Sequence, residues 1–417
     1  MHGAARLAGA PSGVTDRIVI AGTGVVSPLG AGLADFASAL YEGVRADAPC
    51  TRFEGHAAEI ADFDPQPWLG SGFRAMDRTA RLLSVAVHLA LSEAGVGAPA
   101  GSEVDPDLGL ICGTMLGGIH SITSFDWDGI TEGPEYVSPM GFANTVINSA
   151  AGQAAIKFKL RGVNSTICAG LSSGLYALGY AEGFLQLQRA RALLAGGVDE
   201  LSEEMVIGAG LTGALSPARA ARPFAEARDG IVPAEGAAFL LLERGAEARA
   251  RGVTPTLEIA GFGSAYAGHA FEAHAPMADA ARSAIRQALQ HADIDASQIG
   301  CIVASANGSR DGDATETRAL SQVFGDGLDG IPICAPKASF GEAMGASGAL
   351  CVVVAALALS RQCLPPTAGY DGSAYRLCLS DRTQAIRSDY ALVDAFDCAG
   401  THAALVLRRL PAQAAVT

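Results

Sequence analysis

The chain has 417 residues, of which 49% are apolar and only 17% charged, enough to fill two domains or one large duplicated one. A net charge of −14 argues against a nucleic-acid or anionic-membrane surface. Nine scattered cysteines with no CxxC pair argue against a disulfide framework and fit a reduced, cytoplasmic protein.

The first residues, MHGAARLAGAPSGVTD, lack a basic start followed by an apolar run, so residues 1–16 are expected to be a disordered tail rather than a signal peptide. After them, β-branched runs alternate with alanine-rich helical stretches: RIVIAGTGVVS, MDRTARLLSVAVHLALSEAGV, LGLICGT. This rhythm predicts βαβ units around buried sheets of mixed or mostly parallel strands. No charge-free apolar span of about 18 residues is expected, and hence no membrane crossing.

An internal echo organises the chain. IAGTG at residues 20–24 returns as IAGFG at 259–263. ALSEAGV followed by LGLICGT is matched later by ALQHADI followed by IGCIVAS. Helix, short loop and buried strand recur in one order, which predicts two duplicated halves, 17–250 and 251–417. The basic stretch ERGAEARARGVTP is the expected junction. GTG at 22–24 is not a dinucleotide fingerprint, because Ser27 stands where the third glycine is needed.

The segment VNSTICAGLSSGLYALGYA places Cys168 between β-formers and a small-residue helix start. Strand, sharp turn and helix form a nucleophile elbow, and helix dipoles at such a turn favour the thiolate. By spacing alone, a structural cysteine is the stronger reading. Two further segments bear on the choice, PKASFGEAMGASGAL and ANGSRDGDATE, together with SAAGQAAIKFKLRGVNSTICAG, LLAGGVDE, RPFAEARDGIVPAEGAA and LPPTAG.

With these segments the chain resembles, from about Arg17 to Leu410, the β-ketoacyl-ACP synthase (ketosynthase) family of the thiolase fold. The resemblance implies an α/β fold of two duplicated halves, with buried mixed sheets and helices in αβαβα layers. It implies the nucleophile's position for Cys168 and an oxyanion hole from the backbone N–H groups of Cys168 and Cys398. It also implies two histidines, and both are replaced, by Asn307 in Ala306-Asn307-Gly308-Ser309 and by Glu342 after Lys337 and Gly341. The carboxylate nine residues beyond the second histidine is Cys351. The glycine-rich gate, similar to N-S-F-G-F-G-G-T-N in the family, is Asp394 to His402 here and has lost its bulky side chain.

Decarboxylative condensation builds an enolate that needs donors aimed at the thioester oxygen. Asn307 can donate through its amide, whereas an ionised Glu342 only accepts. Condensation by this chain alone is therefore not expected, and Lys337 is expected to pair with Glu342 inside the former site. Where the family presents basic residues to its carrier protein, Gly133-Pro134-Glu135 places an acid. Arg74, Arg78 and Arg81 on one helical face are a smaller basic patch or simply a solvated face.

The reading that follows is a partner subunit like the chain-length factors of type II polyketide synthases, which shape the acyl tunnel of a catalytic ketosynthase. The expected partners are such a ketosynthase, with a heterodimer ahead of a homodimer, and an acyl carrier protein docked mainly on that partner. Met115, Leu116, Ile119, Phe125 and Phe142 are expected to line the tunnel or the interface around residues 110–165. The alternative is acyl transfer through Cys168 from a carrier or CoA thioester without decarboxylation. No cofactor, metal, nucleic acid or membrane is implied by the sequence.

Overall fold

A computed structural model describes residues 16–96, 107–268 and 274–411; the expected tail over 1–16 lies almost wholly outside these. The first half supplies strands β1 (Ile18–Ser27), β2 (Leu108–Gly113), β3 (Asn164–Ile167), β4 (Ala192–Asp199) and β5 (Gly236–Arg244), in the order β3-β2-β4-β5-β1. The second supplies β6 (Leu257–Tyr266), β7 (Ile299–Val303), β8 (Ile333–Cys334), β9 (Tyr390–Phe396) and β10 (Thr401–Arg409), in the order β8-β7-β9-β10-β6. Counted within each half, the two orders are the same. The sheets are not wholly separate, because β1 and β6 meet through Ile18 with Ile259 and Val19 with Glu258.

The first half carries helices α1 (Arg78–Glu93), α2 (Ile119–Thr131), α3 (Ser149–Phe158), α4 (Ser173–Gln186) and α5 (Glu203–Leu211); the second carries α6 (His274–His291), α7 (Arg310–Phe324) and α8 (Ser347–Arg361). Three of the helices repeat in the same way as the strands, α1, α3 and α4 of the first half corresponding to α6, α7 and α8 of the second. α1 and α3 cover the outer face of the first sheet, α6 and α7 that of the second, and α4 and α8 fill the space between the sheets. These are the αβαβα layers.

The echoed glycines are contact points. A Cβ on Gly22 would lie 2.3 Å from the Ala90 carbonyl oxygen of α1, and one on Gly24 would lie 1.8 Å from that of Ala86. In the second half, Gly261 and Gly263 meet the carbonyls of Ala288 and Ala284 in α6 at 2.2 and 2.1 Å. Each G-x-G thus seats one helix backbone directly on a strand, and the alternation along the strand matches the four-residue spacing along the helix. Gly24→Ala is expected to cost about 1–3 kcal/mol of stability through overpacking, read as a lower denaturant midpoint. Gly183→Ala in α4, where no atom lies within 4 Å of the added Cβ, is expected to be neutral or stabilising, and the pair of midpoints checks the packing argument.

One expectation needs correction. Met344–Arg361 is long and apolar enough to cross a membrane, but 89% of it is buried, because α8 is a helix enclosed between two sheets. The basic stretch expected as the junction is packed against the first half. Residues 245–250 form a short helix, Arg251 pairs with Glu243 at 3.0 Å, and its guanidinium also donates to the Ala94 carbonyl at 2.8 Å.

Candidate active site

The elbow forms between β3 and α4. Gly170 has φ +58°, and a Cβ there would fall 2.1 Å from a carboxylate oxygen of Asp397, so only glycine fits. Ser173 Oγ donates toward the carbonyls of Thr114 at 3.0 Å and Gly170 at 2.6 Å, and Ser172 Oγ donates to the Ala395 carbonyl at 2.9 Å. These bonds, not the thiol, hold the turn. Cys168 is exposed, and its Sγ contacts the Met115 carbonyl oxygen at 3.4 Å.

The thiol is not biased toward thiolate. Burial of its inner side, then the charges of Asp199 and Asp397, raise its pKa against the opposing Gly170 N–H. Helix α4 begins only at Ser173, so its free N–H groups do not converge on the sulfur. Exposure, rather than a low pKa, is what distinguishes Cys168. Alkylation with a small reagent is expected to label Cys168 and Cys398, both exposed, well before the buried Cys112, Cys301, Cys334 and Cys351. Peptide mapping over time checks that order.

Glu342 stands beside the elbow because the central helices approach through glycine. A Cβ on Gly174 of α4 would lie 2.8 Å from the Gly345 carbonyl and 3.0 Å from the Ala349 amide of α8. Gly341 takes φ +80°, and the Glu342 backbone is fixed to Val232 and Ala234 by hydrogen bonds of 2.8 and 2.9 Å. Its carboxylate is 1% exposed in total and accepts three side-chain donors. Lys337 Nζ and Asn307 Nδ2 reach Oε2 at 2.7 Å each, and Ser347 Oγ reaches Oε1 at 2.6 Å. Burial works to lower the Lys337 pKa, but the adjacent Glu342 carboxylate outweighs it, so the ammonium is held.

This arrangement changes the sequence reading of the two replacements. Asn307 does donate, but to Glu342 rather than to an open substrate position. Its carbonyl oxygen in turn accepts from the Ser309 amide at 3.0 Å. Glu342 does not present a bare charge, because Lys337 neutralises it; what it removes from the site is donor capacity. The site therefore offers a polar cluster closed around the Glu342 carboxylate and an exposed thiol that, among the described residues, has no side-chain base hydrogen-bonded to it.

Several residues were not picked out by the sequence. Ser347 completes the Glu342 shell from the first turn of α8. Asp199, at the end of β4, is fully buried and accepts from Thr114 Oγ1 at 2.6 Å and from the amides of Met115, Leu116 and Gly345 at 2.8, 3.0 and 2.7 Å. It ties the loop under Cys168 to the Glu342 segment; an acid ending a buried strand was the available signal. Asp397, in place of a gate glycine, accepts from the amides of Leu171 at 2.8 Å and Ala399 at 2.6 Å, so it joins the gate to the elbow. That contact puts Cys398 on the segment facing the elbow.

Other expected residues fall elsewhere. Arg74 lies in the turn before α1, and Arg78 is bound to the buried Glu235 by two bonds of 2.6 Å, so the three arginines do not form a basic face. Arg81 stacks over Phe73. His402 is fully buried in β10 against Phe396, and burial lowers its pKa to about 4, so it is neutral and does not assist Cys168. Met115 and Leu116 pack beside Met344 and Leu201 near the elbow, while Ile119 starts α2 and Phe125 and Phe142 stack at 5.9 Å on the outer surface. Cavities of about 220 and 150 Å³ are lined around Thr23 with Glu93 and around Glu182 with His291, and neither includes Cys168, Asn307 or Glu342.

A buried acid pair lies near the cluster. The Ser305 amide donates to Glu316 at 2.8 Å and to Asp394 at 2.9 Å, which places the two carboxyls side by side. Burial first, and then the Asp394 charge, pushes Glu316 well above the usual range; burial raises Asp394 to about 6 despite its bond with Glu316. A carboxyl whose folded pKa is raised holds a proton that the unfolded chain releases, so stability falls as pH rises. The fall is expected to begin near the ordinary value of about 4 and to continue through about 6. Asp394→Asn is expected to flatten that slope in denaturant midpoints measured from pH 5 to 8.

A doubled sheet with one strand order, a cysteine elbow heading one central helix and a Lys–Glu cluster heading the other define a thiolase-like fold. The chain belongs to the β-ketoacyl synthase family: residues 15–248 match its N-terminal domain and residues 256–371 its C-terminal domain. It is 31% identical to 3-oxoacyl-[acyl-carrier-protein] synthase 2 of Coxiella burnetii, over 94% of this chain and 99% of that protein. It is 32% identical to the actinorhodin polyketide putative beta-ketoacyl synthase 2 of Streptomyces coelicolor, over 84% and 88%. Among solved structures it is similar to the ishigamide ketosynthase/chain length factor, with a TM-score of 0.88, 26% identity and coverage of 95% of this chain and 100% of that one.

Proposed function

We propose that this chain is a non-condensing partner subunit, like a chain-length factor, of a catalytic ketosynthase in type II polyketide or fatty acid biosynthesis. It would act in the cytoplasm, with the acyl carrier protein docked mainly on the catalytic partner and the acyl tunnel shaped by both subunits. One observation carries the proposal: Glu342 occupies the second histidine's place and binds Lys337, Asn307 and Ser347. An enolate forming there would face a carboxylate in the second histidine's place, with Lys337, Asn307 and Ser347 turned toward that carboxylate, and each lost oxyanion donor costs roughly 10²–10³ in rate. The similarity to a ketosynthase/chain length factor structure supports the same reading.

The exposed Cys168 favours a second reading, acyl transfer through that thiol without decarboxylation. Against it stands the raised thiol pKa and the lack of a base, since the sulfur's contact is a backbone carbonyl. Co-expression with candidate ketosynthases that keep Cys-His-His, followed by native mass spectrometry, tests the partner reading. A 1:1 pair is expected, with an interface above about 2,000 Å². A stable homodimer indifferent to every such partner would contradict it.

A further inference from the structure

The surface made by α2, the loop after it and α5 combines two properties that together select a partner. Its apolar side chains are exposed: Trp127 at 65%, Ile130 at 80%, Met140 at 76% and Leu211 at 85%, with Tyr136, Phe142 and Ile207 among them. These belong to one surface, because α2 packs against α5, Phe125 stacks on Phe142, and His120 at the start of α2 meets Glu204 at 3.1 Å. Single exposed apolar residues are ordinary, but a continuous field of this kind marks an interface.

The Asp, Glu, Lys and Arg carried by these segments have one sign. Asp126, Asp128, Glu132 and Glu135 are exposed along α2 and its loop, and Glu203 and Glu204 open α5. The sequence has no Lys or Arg from residue 82 to 156, nor from 192 to 218. In a two-fold homodimer the same patch meets itself, so these carboxylates would be brought toward their own copies. Like charges placed across an interface cost several kcal/mol and slow the encounter, whereas complementary charges speed it.

We infer that this face is built to reject a second copy of this chain and to accept a subunit whose matching apolar face is rimmed by Lys and Arg. The inference rests on the partner-subunit reading and adds the chemistry of the partner to it. Charge sets the choice and apolar burial supplies the adhesion. The same acidic rim disfavours an acidic carrier protein at this surface.

The test uses the full chain and a fourfold variant, Asp126→Lys, Asp128→Lys, Glu132→Lys and Glu135→Lys, with an Asn/Gln version of the same four positions. All four positions are exposed, and melting curves confirm that each variant folds. At about 50 mM salt the parent chain is expected to stay monomeric by native mass spectrometry, while parent mixed with Lys variant forms a 1:1 pair. Raising salt to about 500 mM is expected to weaken that mixed pair about tenfold and to increase self-association of the parent. With the co-purifying ketosynthase, the Lys variant should bind at least about tenfold more weakly than the parent, and the Asn/Gln version should fall between them. Equal binding of the ketosynthase to parent and Lys variant would overturn the inference and leave the pairing itself intact. A parent–Lys variant pair, together with failure of the parent to bind any ketosynthase that keeps Cys-His-His, would sustain the charge rule and overturn the partner reading.

Discussion

Replacing Glu342 by Gln is expected to destabilise the protein by about 3–5 kcal/mol, among the largest single effects available in this chain. The carboxylate has two oxygens for three donors, two of them sharing Oε2. A glutamine keeps one acceptor and introduces an NH₂ group, which must face a donor. Lys337, 2% exposed, would be left as a buried cation without its counter-charge. Lys337→Met leaves the opposite charge unpaired and is expected to cost a similar amount. The double variant removes both charges, so its loss should be smaller than the sum of the two single losses by at least about 1 kcal/mol. Denaturant midpoints for the three variants measure this coupling, and additive losses would mean that the two residues do not interact in solution.

The second large effect is an asymmetry between the subunits. Cys168→Ala in this chain is expected to leave most of the product formation of the assembled pair, while the equivalent change in the catalytic partner abolishes it. The reasoning is structural. The turn is held by Gly170, Ser172 and Ser173, and the thiol contributes a single contact to a carbonyl. Alanine removes that contact without disturbing the elbow. Burial of its inner side, and then the carboxylates of Asp199 and Asp397, disfavour the thiolate, so the thiol is poorly suited to attack a thioester. Rates for the two single-site variants of the pair check the asymmetry; equal loss in both would contradict it.

What the sequence made legible follows from the distance over which each feature is specified. IAGTG and IAGFG could be read because one strand and one helix produce the same contact twice, and each glycine marks a point of backbone contact. The Lys337–Glu342 pair could be anticipated because five residues around one glycine turn bring the groups together, and a buried lysine needs a counter-charge. Arg78 could not be placed, since its partner Glu235 is 157 residues away and nothing in a helical wheel points to it. The same holds for Asp199, whose oxygens gather amides from two distant segments, and for Asp397, whose donor, the Leu171 amide, lies in the elbow. The thiolate expectation failed for a related reason: local dipoles were visible in the strand–turn–helix pattern, but the burial that raises the thiol's pKa, and then the carboxylates of Asp199 and Asp397, come from other parts of the chain. The uncharged run that forms α8 gives no sign in the sequence of whether lipid or two sheets enclose it.

The most direct test of the non-condensing role is acyl capture by the intact pair. The complex is incubated with acylated carrier protein, and each subunit is weighed by intact-protein mass spectrometry. The account expects acyl adducts on the partner's catalytic cysteine and none above background on Cys168. Stoichiometric acylation of Cys168, together with loss of product in the Cys168→Ala variant, would contradict it and make this chain an acyltransferase in its own right.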